Sequence, residues 1–366
     1  MILHIEKEEL IFGINTVQRA MAVKSTLPVL EGIYICADAK GLQLICTDLS
    51  LGIQTFLACD IEEEGKVVLP GRLFAEIVRK LPDGDIDITI DDNLNVTIQC
   101  MGSRTKMKGL DPETFPDLAE VSDASSFTIA QPVLKDMIRQ TIFAVATDET
   151  RPILTGALLE IQQNNLTMVA LDGYRLALRK EALSAPSEEK QIVIPGKSLS
   201  EIGKLLDDDG DDVHIMSQDT HVMVEIKNTR VIARLLDGEF IKYRQIMPTD
   251  HHTRVQVAAR DLFDSIDRAS LMAREGKNNL VRFQISENKL ILTSNSEMGD
   301  VYEEIPIAME GQDLEIAFNA RYFTDVLKIM DDETINLDFT TNISPCVVNP
   351  VEGDKFSYLV LPVRIY

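Results

Sequence analysis

The sequence predicts an α+β protein made of three repeated domains, each with two helices packed on antiparallel sheets. Three stretches about 124 residues apart are alike: LPGR at 69–72, IPGK at 194–197 and FNAR at 318–321. After each stretch, apolar residues recur at i, i+3 and i+7, the spacing of one buried helical face. Segment 86–90 alternates apolar and polar residues as a strand does. Two helices beside several strands in each repeat favour helices on one face of antiparallel sheets.

The predicted helices fall in corresponding places in the three repeats. The buried positions of the later helix are Phe74, Ile77 and Leu81, then Leu199, Ile202 and Leu206, then Phe323, Val326 and Met330. An earlier helix is predicted from Leu10, Ile14 and Val17, from Leu134, Ile138 and Ile142, and from Leu262 and Ile266. Between the two helices, CTDL at 46–49 corresponds to ALDG at 170–173, and more weakly to TSNS at 293–296.

Each repeat is long enough to be a domain with its own core, since solenoid repeats have only about 20–50 residues. Boundaries are expected in the proline-, glycine- and acid-rich segments 111–126 and 237–253. The sequence therefore predicts three domains, at 1–121, 122–250 and 251–366.

The composition is that of globular domains. Hydrophobic residues make up 45% of the chain, no apolar run approaches the ~18 residues of a membrane span, and the first residues lack a signal-peptide layout. Five cysteines without CxxC spacing predict buried, reduced thiols in a cytoplasmic protein.

Three motifs that resemble catalytic or metal sites have simpler interpretations. GKS at 196–198 lacks the earlier glycine of a phosphate-binding loop, and its counterparts in the other repeats could not bind phosphate that way. The acidic run 207–212 lacks the order of a calcium loop and is predicted to be a solvated turn. His251 and His252 have no further ligand at suitable spacing. We expect no catalytic residues, no metal and no cofactor, and thus a protein that is not an enzyme.

Basic residues recur on the later helices of a chain whose net charge is −23. They are Arg72 and Arg79, Lys197 and Lys204, and Arg321 and Lys328, while Lys135 and Arg139 share a face of an earlier helix. One interpretation is ordinary i, i+4 pairing with Glu76, Glu201 and Asp325. The other is a basic inner surface on an acidic body, whose phosphate contacts hold DNA without reading its sequence.

Two strands carry charges of opposite sign. Arg104, Lys106 and Lys108 alternate in the first repeat, and Glu297, Asp300, Glu303 and Glu304 crowd a segment of the third, near Leu271 and Met272. Such charges protect sheet edges from self-pairing. They also suit head-to-tail association of the first repeat with the third repeat of another chain, which closes into a ring if the rotation permits.

Several further motifs complete the pattern. They are TLPVL at 26–30, CTDL at 46–49, LPGR at 69–72, FPDL at 115–118, LDGYRLA at 171–177, YRQIMP at 243–248 and YLVLPVR at 358–364. Together they cover the chain and resemble the bacterial sliding clamp family, the β subunit of DNA polymerase III. The resemblance implies a processivity factor: a homodimeric ring that encircles duplex DNA, slides on it during replication at the nucleoid, and tethers the replicative polymerase, the clamp loader and other proteins carrying short hydrophobic clamp-binding peptides.

The resemblance also implies three sets of site residues. For DNA they are Lys24, Arg72, Arg79, Lys135, Arg139 and Lys197. For a partner-peptide pocket between domains 2 and 3 they are Leu154, Leu171, Gly173, Tyr174, Arg175, Leu176, Ile241, Ile246, Val360, Leu361, Pro362, Val363 and Arg364. For the dimer interface they are Arg104, Lys106 and Met107 against Leu271, Met272, Glu297, Asp300 and Glu303.

This chain departs from the family pattern at a few positions. Leu171, Ile241 and Gln245 stand where Thr, Pro and Arg are common, and Tyr366 extends the tail, which leaves the fine peptide preference open. Pro152 and Ile153 stand where aromatic DNA contacts occur, so that contact is expected to be lost. Two rival classes remain: an acidic three-domain scaffold that never encircles DNA, and an enzyme with an unrecognised site.

Overall fold

A computed structural model describes residues 1–121, 125–185, 187–208, 210–276 and 279–364. Asp209 of the predicted acidic turn, residue 122 at the predicted first domain boundary, and Tyr366 of the tail lie outside the described residues.

The α+β prediction is confirmed: helices and antiparallel strands alternate in each repeat. The α-helices of the described residues are α1 (Lys7–Val17), α2 (Gly71–Lys80), α3 (Gln131–Arg139), α4 (Gly196–Leu205), α5 (Ala259–Glu275) and α6 (Ala320–Leu327).

The strands up to the end of the second repeat are β1 (Ile2–Glu6), β2 (Gly32–Asp38), β3 (Gly41–Thr47), β4 (Leu51–Leu57), β5 (Asp60–Glu63), β6 (Gly65–Pro70), β7 (Asp85–Ile90), β8 (Asn95–Cys100), β9 (Ser103–Lys108), β10 (Ser125–Ala130), β11 (Gly156–Gln162), β12 (Asn165–Leu171), β13 (Arg175–Ala182), β14 (Lys190–Pro195), β15 (Asp212–Ser217), β16 (His221–Ile226) and β17 (Thr229–Arg234). Those of the third repeat are β18 (Thr253–Ala258), β19 (Leu280–Ser286), β20 (Lys289–Ser296), β21 (Gly299–Pro306), β22 (Ala308–Glu310), β23 (Leu314–Asn319), β24 (Thr334–Phe339), β25 (Cys346–Pro350) and β26 (Phe356–Val360).

By its internal contacts the chain divides into two compact units. Unit 1 comprises Met1–Pro132 and Glu201–Leu235, and unit 2 comprises Val133–Ser200 and Leu236–Tyr366. The middle repeat therefore contributes strands to both units. The domain limits taken from the sequence stay a prediction.

Unit 1 contains two antiparallel sheets. One has the strand order β5-β1-β7-β8-β9, and the other has the order β10-β15-β16-β17-β4-β3-β2-β6. The pairing of β17 with β4 joins the second repeat to the first, and the hydroxyls of Thr229 and Thr55 lie 2.9 Å apart across it. Helix α1 packs closely on this larger sheet at Gly13. A Cβ on Gly13 would lie 2.4 Å from a Leu57 methyl carbon, so a larger residue there would displace the Leu57 side chain.

Unit 2 also contains two antiparallel sheets. One has the order β14-β11-β12-β13-β26-β25-β24-β18-β22, and the other has the order β21-β20-β19-β23. The pairing of β13 with β26 places Arg175 opposite Val360 and joins the second repeat to the third. Four buried aromatic rings form the centre of the third repeat; they are Phe283, Phe318, Phe323 and Phe339.

The predicted buried faces of the later helices are correct for α4 and partly wrong for the others. Leu199, Ile202 and Leu206 are buried. In α2, Val78 is buried and Ile77 is half-buried, because the helix turns its i+4 position toward the sheet. Helix α6 ends at Leu327, so Met330 lies beyond it and is half-exposed. Likewise α3 ends at Arg139, and Ile142 lies in a separate 3₁₀ turn.

Candidate functional site

A tight turn at residues 171–176 links β12 to β13 in unit 2. The Asp172 carboxylate accepts hydrogen bonds from the backbone N–H groups of Tyr174 and Arg175, at 2.9 and 3.1 Å. Gly173 has φ of 94°, a left-handed conformation that glycine adopts without a steric penalty. The Tyr174 carbonyl accepts a hydrogen bond of 2.9 Å from the Leu361 N–H, just beyond β26. The turn therefore fixes the start of the C-terminal tail.

An apolar cluster lies beside this turn. Its buried members are Leu154, Leu158, Val169, Leu171, Leu176, Leu178, Val193, Phe240, Tyr243 and Leu359, and its half-buried neighbours are Ala146, Ile153, Leu236, Ile241, Met247 and Leu361. Five residues of the sequence-predicted pocket thus share one cluster: Leu154, Leu171, Leu176, Ile241 and Leu361. Ile246 is 42% exposed at the edge of the same linker segment.

The tail supplies the other predicted pocket residues. Val360, the last residue of β26, is fully buried. Pro362 and Val363 are half-buried, and the Val363 N–H donates a 2.8 Å hydrogen bond to the Ala317 carbonyl. Arg364 is exposed. Leu361, Pro362 and Val363 therefore leave apolar surface open beside the cluster.

Arg175 plays a different role from the one expected of an arginine at a pocket rim. Its side chain is only 9% exposed, and its guanidinium donates to Asp172 at 3.0 Å, to Asp325 of α6 at 2.6 Å and to the Phe143 carbonyl at 2.7 Å. It also lies 5.0 Å from the centre of the Tyr322 ring. Arg175 therefore ties the turn to α6, whereas Arg364 of the tail and Arg321 of α6 are exposed.

Sequence reasoning missed Tyr322. Its ring stacks on that of Tyr174, with 6.0 Å between ring centres and 19° between planes, and Tyr174 is 60% exposed. The signal in the sequence was an aromatic residue where the other two later helices have Leu73 and Ser198. Its partner could not be read from the sequence, because the two tyrosines lie far apart along the chain.

The basic residues predicted to contact DNA lie in both units. In unit 1, Lys24, Arg72 and Arg79 are exposed. Arg72 donates to the Val23 carbonyl at 3.3 Å, which links α2 to the loop that carries Lys24. Arg79 donates only to neutral groups on or just after α1, the amide oxygens of Asn15 and Gln18, so its charge is available for a phosphate.

In unit 2, Lys197 is exposed, while Lys135 and Arg139 are half-buried. Arg139 pairs with Asp136 at 2.9 Å and with Asp331. Burial opposes its charge, but hydrogen bonds to these two carboxylates outweigh it and raise the pKa of Arg139. A phosphate would have to compete with two acids for this arginine.

The oppositely charged strands lie at sheet edges. In β9, an edge strand of unit 1, Arg104 and Lys106 are exposed and Met107 is half-buried. In unit 2, Leu271 is 58% exposed, Met272 is half-buried, and Glu297 and Asp300 are exposed beside or on the edge strand β21.

Glu303 is already paired within its own chain. Its carboxylate accepts two hydrogen bonds from Arg268, which lower the pKa of Glu303 despite the opposing effect of partial burial. Glu297 and Asp300 are therefore better placed than Glu303 to meet cations of another chain.

The described residues contain no group of three or more His, Cys, Asp or Glu side chains placed to hold a metal ion. None of their helices is long and apolar enough to cross a bilayer. The described cysteines are unpaired; Cys59 is half-buried and the other four are buried.

The repeated helix-and-sheet architecture, with charged edge strands at the first and third repeats, defines a three-domain DNA clamp. Comparison with known proteins gives the particular family. The N-terminal, central and C-terminal domains of the DNA polymerase III beta subunit family match residues 1–119, 128–242 and 244–364. The chain belongs to this family, and is thus a bacterial sliding clamp and a processivity factor of DNA replication rather than an enzyme.

Relatives support this assignment over the whole chain. The beta sliding clamp of Halalkalibacterium halodurans is 35% identical over 376 residues, and the match covers 99% of each chain. The crystal structure of the DNA polymerase sliding clamp from Bacillus subtilis is 36% identical with a TM-score of 0.97, and that of a putative DNA polymerase III beta subunit from Eubacterium rectale is 37% identical with a TM-score of 0.96. Both structural matches cover 100% of each chain.

Proposed function

We propose that two copies of this chain form a closed ring that encircles duplex DNA, slides on it without reading its sequence, and tethers the replicative polymerase through a peptide pocket. The family assignment supports a dimer that works with DNA and with DNA polymerase III inside the cell. The ring geometry, the partner peptides, association with the nucleoid and the domain limits 1–121, 122–250 and 251–366 are parts of this proposal.

The observation that carries the tethering role is the half-open apolar cluster beside the turn at 171–176. Ile241 and Leu361 are half-buried on it, and Ile246 and Tyr174 are exposed at its edge. A short peptide with two or three hydrophobic anchors would bury this surface, as peptides do in other apolar grooves. The clamp loader and repair proteins would then compete with the polymerase for one site.

The proposed DNA contacts are the cations of the helices and of one loop. Lys24, Arg72, Arg79 and Lys197 are exposed, which suits contacts to phosphates. Such contacts are sequence-independent and weaken with salt. A chain with a net charge of −23 would be repelled from DNA elsewhere on its surface, so binding would depend on encirclement more than on affinity.

The proposed dimer contact joins β9 of one chain to β21 and α5 of another. Arg104 and Lys106 would meet Glu297 and Asp300, and Met107 would pack near Leu271 and Met272. Opposite charges on two sheet edges disfavour pairing of like edges and select this head-to-tail contact.

Negative-stain electron microscopy of the purified protein tests the ring. Class averages with a central hole and six lobes are the expected result. Open three-lobed particles would contradict the proposal and favour an acidic scaffold that never encircles DNA.

A charge exchange tests the contact itself by light scattering. Arg104→Glu should shift the mass from dimer to monomer, and adding Asp300→Arg in the same chain should partly restore the dimer. Glu303→Arg is the matched variant, and we expect less restoration from it because it also leaves Arg268 unpaired. A mass that no interface change alters would contradict the assigned contact.

A further inference from the structure

The segment that carries Ile241 and Ile246 is fastened to the sheet of unit 2 by one buried carboxylate. Glu160 lies on β11, and its side chain is 4% exposed. The carboxylate accepts a hydrogen bond of 2.7 Å from the Tyr243 hydroxyl and two from the Arg244 guanidinium. Gln191 of the neighbouring strand β14 donates a further one. The acid is thus held from the sheet on one side and from the linker on the other.

The linker residues bound by Glu160 form the centre of a compact turn. The Tyr243 N–H donates to the Ile241 carbonyl at 2.7 Å, and the Ile246 N–H donates to the Tyr243 carbonyl at 3.0 Å. The Tyr243 ring belongs to the apolar cluster, and the Arg244 guanidinium lies 4.8 Å from the centre of that ring. Fixing Tyr243 therefore fixes the positions of both isoleucines.

From this geometry we infer that Glu160 is the positioning residue of the peptide pocket: it holds residues 241–247 so that Ile241 and Ile246 form one wall. The inference rests on the proposed function of that pocket. Apolar packing alone sets the distance between the segment and the sheet but leaves its sliding and rotation weakly defined. Directional hydrogen bonds from Tyr243 and Arg244 to one carboxylate remove that freedom.

A carboxylate suits this task better than a neutral acceptor. Its two oxygens can accept all four donated hydrogen bonds, including the paired bonds of a guanidinium. A neutral glutamine would leave Arg244 without a charge partner and would bring an amide N–H₂ toward it. The buried hydroxyl of Tyr243 would also lose part of its acceptor, and such unsatisfied groups are costly.

Peptide-binding measurements on folded variants test this role. The probe is a fluorescein-labelled synthetic peptide with two leucines and a phenylalanine as anchors and with blocked ends, followed by fluorescence anisotropy. We expect Glu160→Ala to weaken binding about tenfold and Glu160→Gln somewhat less, since each loses charge-assisted hydrogen bonds to the segment. Tyr243→Phe removes one hydroxyl and no apolar surface, so it should fold and weaken binding about threefold.

A double variant separates positioning from general stability. Arg244→Met removes the guanidinium, and in combination with Glu160→Gln it removes the unpaired charge that the single Glu160 variant leaves. If Glu160 acts on the pocket through Arg244, Glu160→Gln should weaken binding less in the Arg244→Met background than in the wild type. If the carboxylate only stabilised the fold, the folded fraction would fall but the affinity of the folded protein would not change.

The matched control is another buried carboxylate that holds an arginine in unit 2. Asp338 accepts two hydrogen bonds from Arg254, at 2.6 and 2.9 Å, and neither residue contacts the segment 241–247 through a hydrogen bond or an ion pair. Asp338→Asn should lower the midpoint of urea unfolding and leave the peptide affinity unchanged.

Leu361→Ala distinguishes failure of the inference from failure of the pocket. If Leu361→Ala weakens binding while the Glu160 and Tyr243 variants bind like the wild type, the positioning role is overturned. If Leu361→Ala also binds like the wild type, the pocket assignment itself is wrong. Loss of affinity in all three, with an unchanged Asp338→Asn variant, supports the inference.

Discussion

The turns at residues 47–51 and 171–175 share a hydrogen-bonding pattern but have different surroundings. Asp48 accepts hydrogen bonds from the N–H groups of Ser50 and Leu51 at 3.0 and 2.8 Å, as Asp172 does from Tyr174 and Arg175 at 2.9 and 3.1 Å. Each turn also accepts one hydrogen bond of 2.9 Å from a residue later in the chain. The Ser50 carbonyl accepts from the Arg234 N–H at the end of β17, and the Tyr174 carbonyl accepts from the Leu361 N–H just beyond β26.

Side chains differ beside the two turns, and we expect the second turn alone to edge the proposed pocket. Beside the first turn stands Gly52, where a Cβ would lie 2.5 Å from a Leu118 methyl carbon, so a linker leucine already fills that space. The second repeat has Leu176 at this place, and Leu361 is half-buried beside it. Duplication of a backbone therefore duplicates a turn but not a binding site. The site depends on which residue fills the room beside the turn.

The largest effect is expected at Arg175, whose counterpart in the first turn is Leu51. Arg175→Ala leaves the Asp172 carboxylate without its cation and leaves Asp325 with only the longer contact to Arg321, at 3.8 Å. Breaking a buried ion pair costs about 3–5 kcal/mol of unfolding free energy. Peptide affinity should fall at least about 30-fold, since the turn loses its tie to α6. Urea unfolding and anisotropy titration measure the two quantities.

Leu51→Ala is the matched variant for that comparison. It should cost about 2–5 kcal/mol through the cavity it leaves in the first repeat, with no change in peptide affinity. Equal losses of affinity in both variants would mean that the two turns do not differ in function.

Gly173→Leu makes the second turn resemble the first. The new residue must adopt φ near 94°, which costs a non-glycine residue about 1–3 kcal/mol. A Cβ at this position has no atom within 4 Å, so the leucine side chain would not clash with the rest of the protein. The expected effects are backbone strain and coverage of the pocket edge by the leucine side chain. We expect about tenfold weaker peptide binding. Gly173→Ala controls for the backbone alone, and wild-type affinity in the leucine variant would place the pocket elsewhere.

A dependence on pH should arise in the second repeat and not in the first. Burial opposes the charge of Glu160, but hydrogen bonds from Arg244 and Tyr243 outweigh it and hold the pKa of Glu160 below 4.5. The stabilisation that the ionised Glu160 gives to segment 241–247 is therefore complete above pH 4.5. It is lost as the pH falls through the lower pKa that Glu160 has in the folded protein. The ratio of the peptide affinity of the wild type to that of Glu160→Gln should be constant from neutral pH down to about pH 4.5 and should shrink at lower pH.

Cys36 occupies the place of Glu160 in the first repeat, opposite Lys66 as Glu160 is opposite Gln191. Burial raises the pKa of this thiol above 9.0, so it stays neutral throughout the acidic range. Cys36→Ser should leave the pH profile of peptide binding unchanged. If Cys36→Ser alters the pH profile of peptide binding and Glu160→Gln does not, the pH dependence arises in the first repeat and this account is wrong.

The smallest effect is expected at Leu49, which has φ of 73° and is 56% exposed. Leu49→Gly relieves the left-handed backbone strain, which stabilises the folded state. It also gives the unfolded chain more conformational entropy, which partly cancels that gain. We expect a stabilisation of less than about 1 kcal/mol in urea unfolding. Leu49→Ala keeps the strain and should not stabilise. A clear loss of stability in the glycine variant would mean that the exposed leucine makes contacts of its own.

The sequence was sufficient for the backbone because the repeats carry the same local signals. The GR, GK and AR pairs at the helix starts and the alternating cations of β9 appear in the structure where the spacing predicts them. Ile77 and Met330 were misplaced, since helix ends and the exact buried face depend on the sheet beneath.

The contacts that make the site were beyond the sequence. Arg175 pairs with Asp325, which lies 150 residues away, and Glu160 binds Arg244, which lies 84 residues away. The pairing of Glu303 with Arg268 likewise could not be predicted, and it makes Glu303 less suited to the proposed dimer contact. For each of these charges the sequence offers many oppositely charged residues as possible partners. Which of them forms the pair depends on the packing of the folded chain.

Hydrogen exchange of the intact protein, with and without the blocked leucine–phenylalanine peptide, tests most directly whether the second turn is the pocket and the first is not. We predict slower exchange on peptide addition at 171–176, 241–247 and 361–364, and unchanged exchange at 47–51. Protection at 47–51, or at neither turn under saturating peptide, would contradict this account.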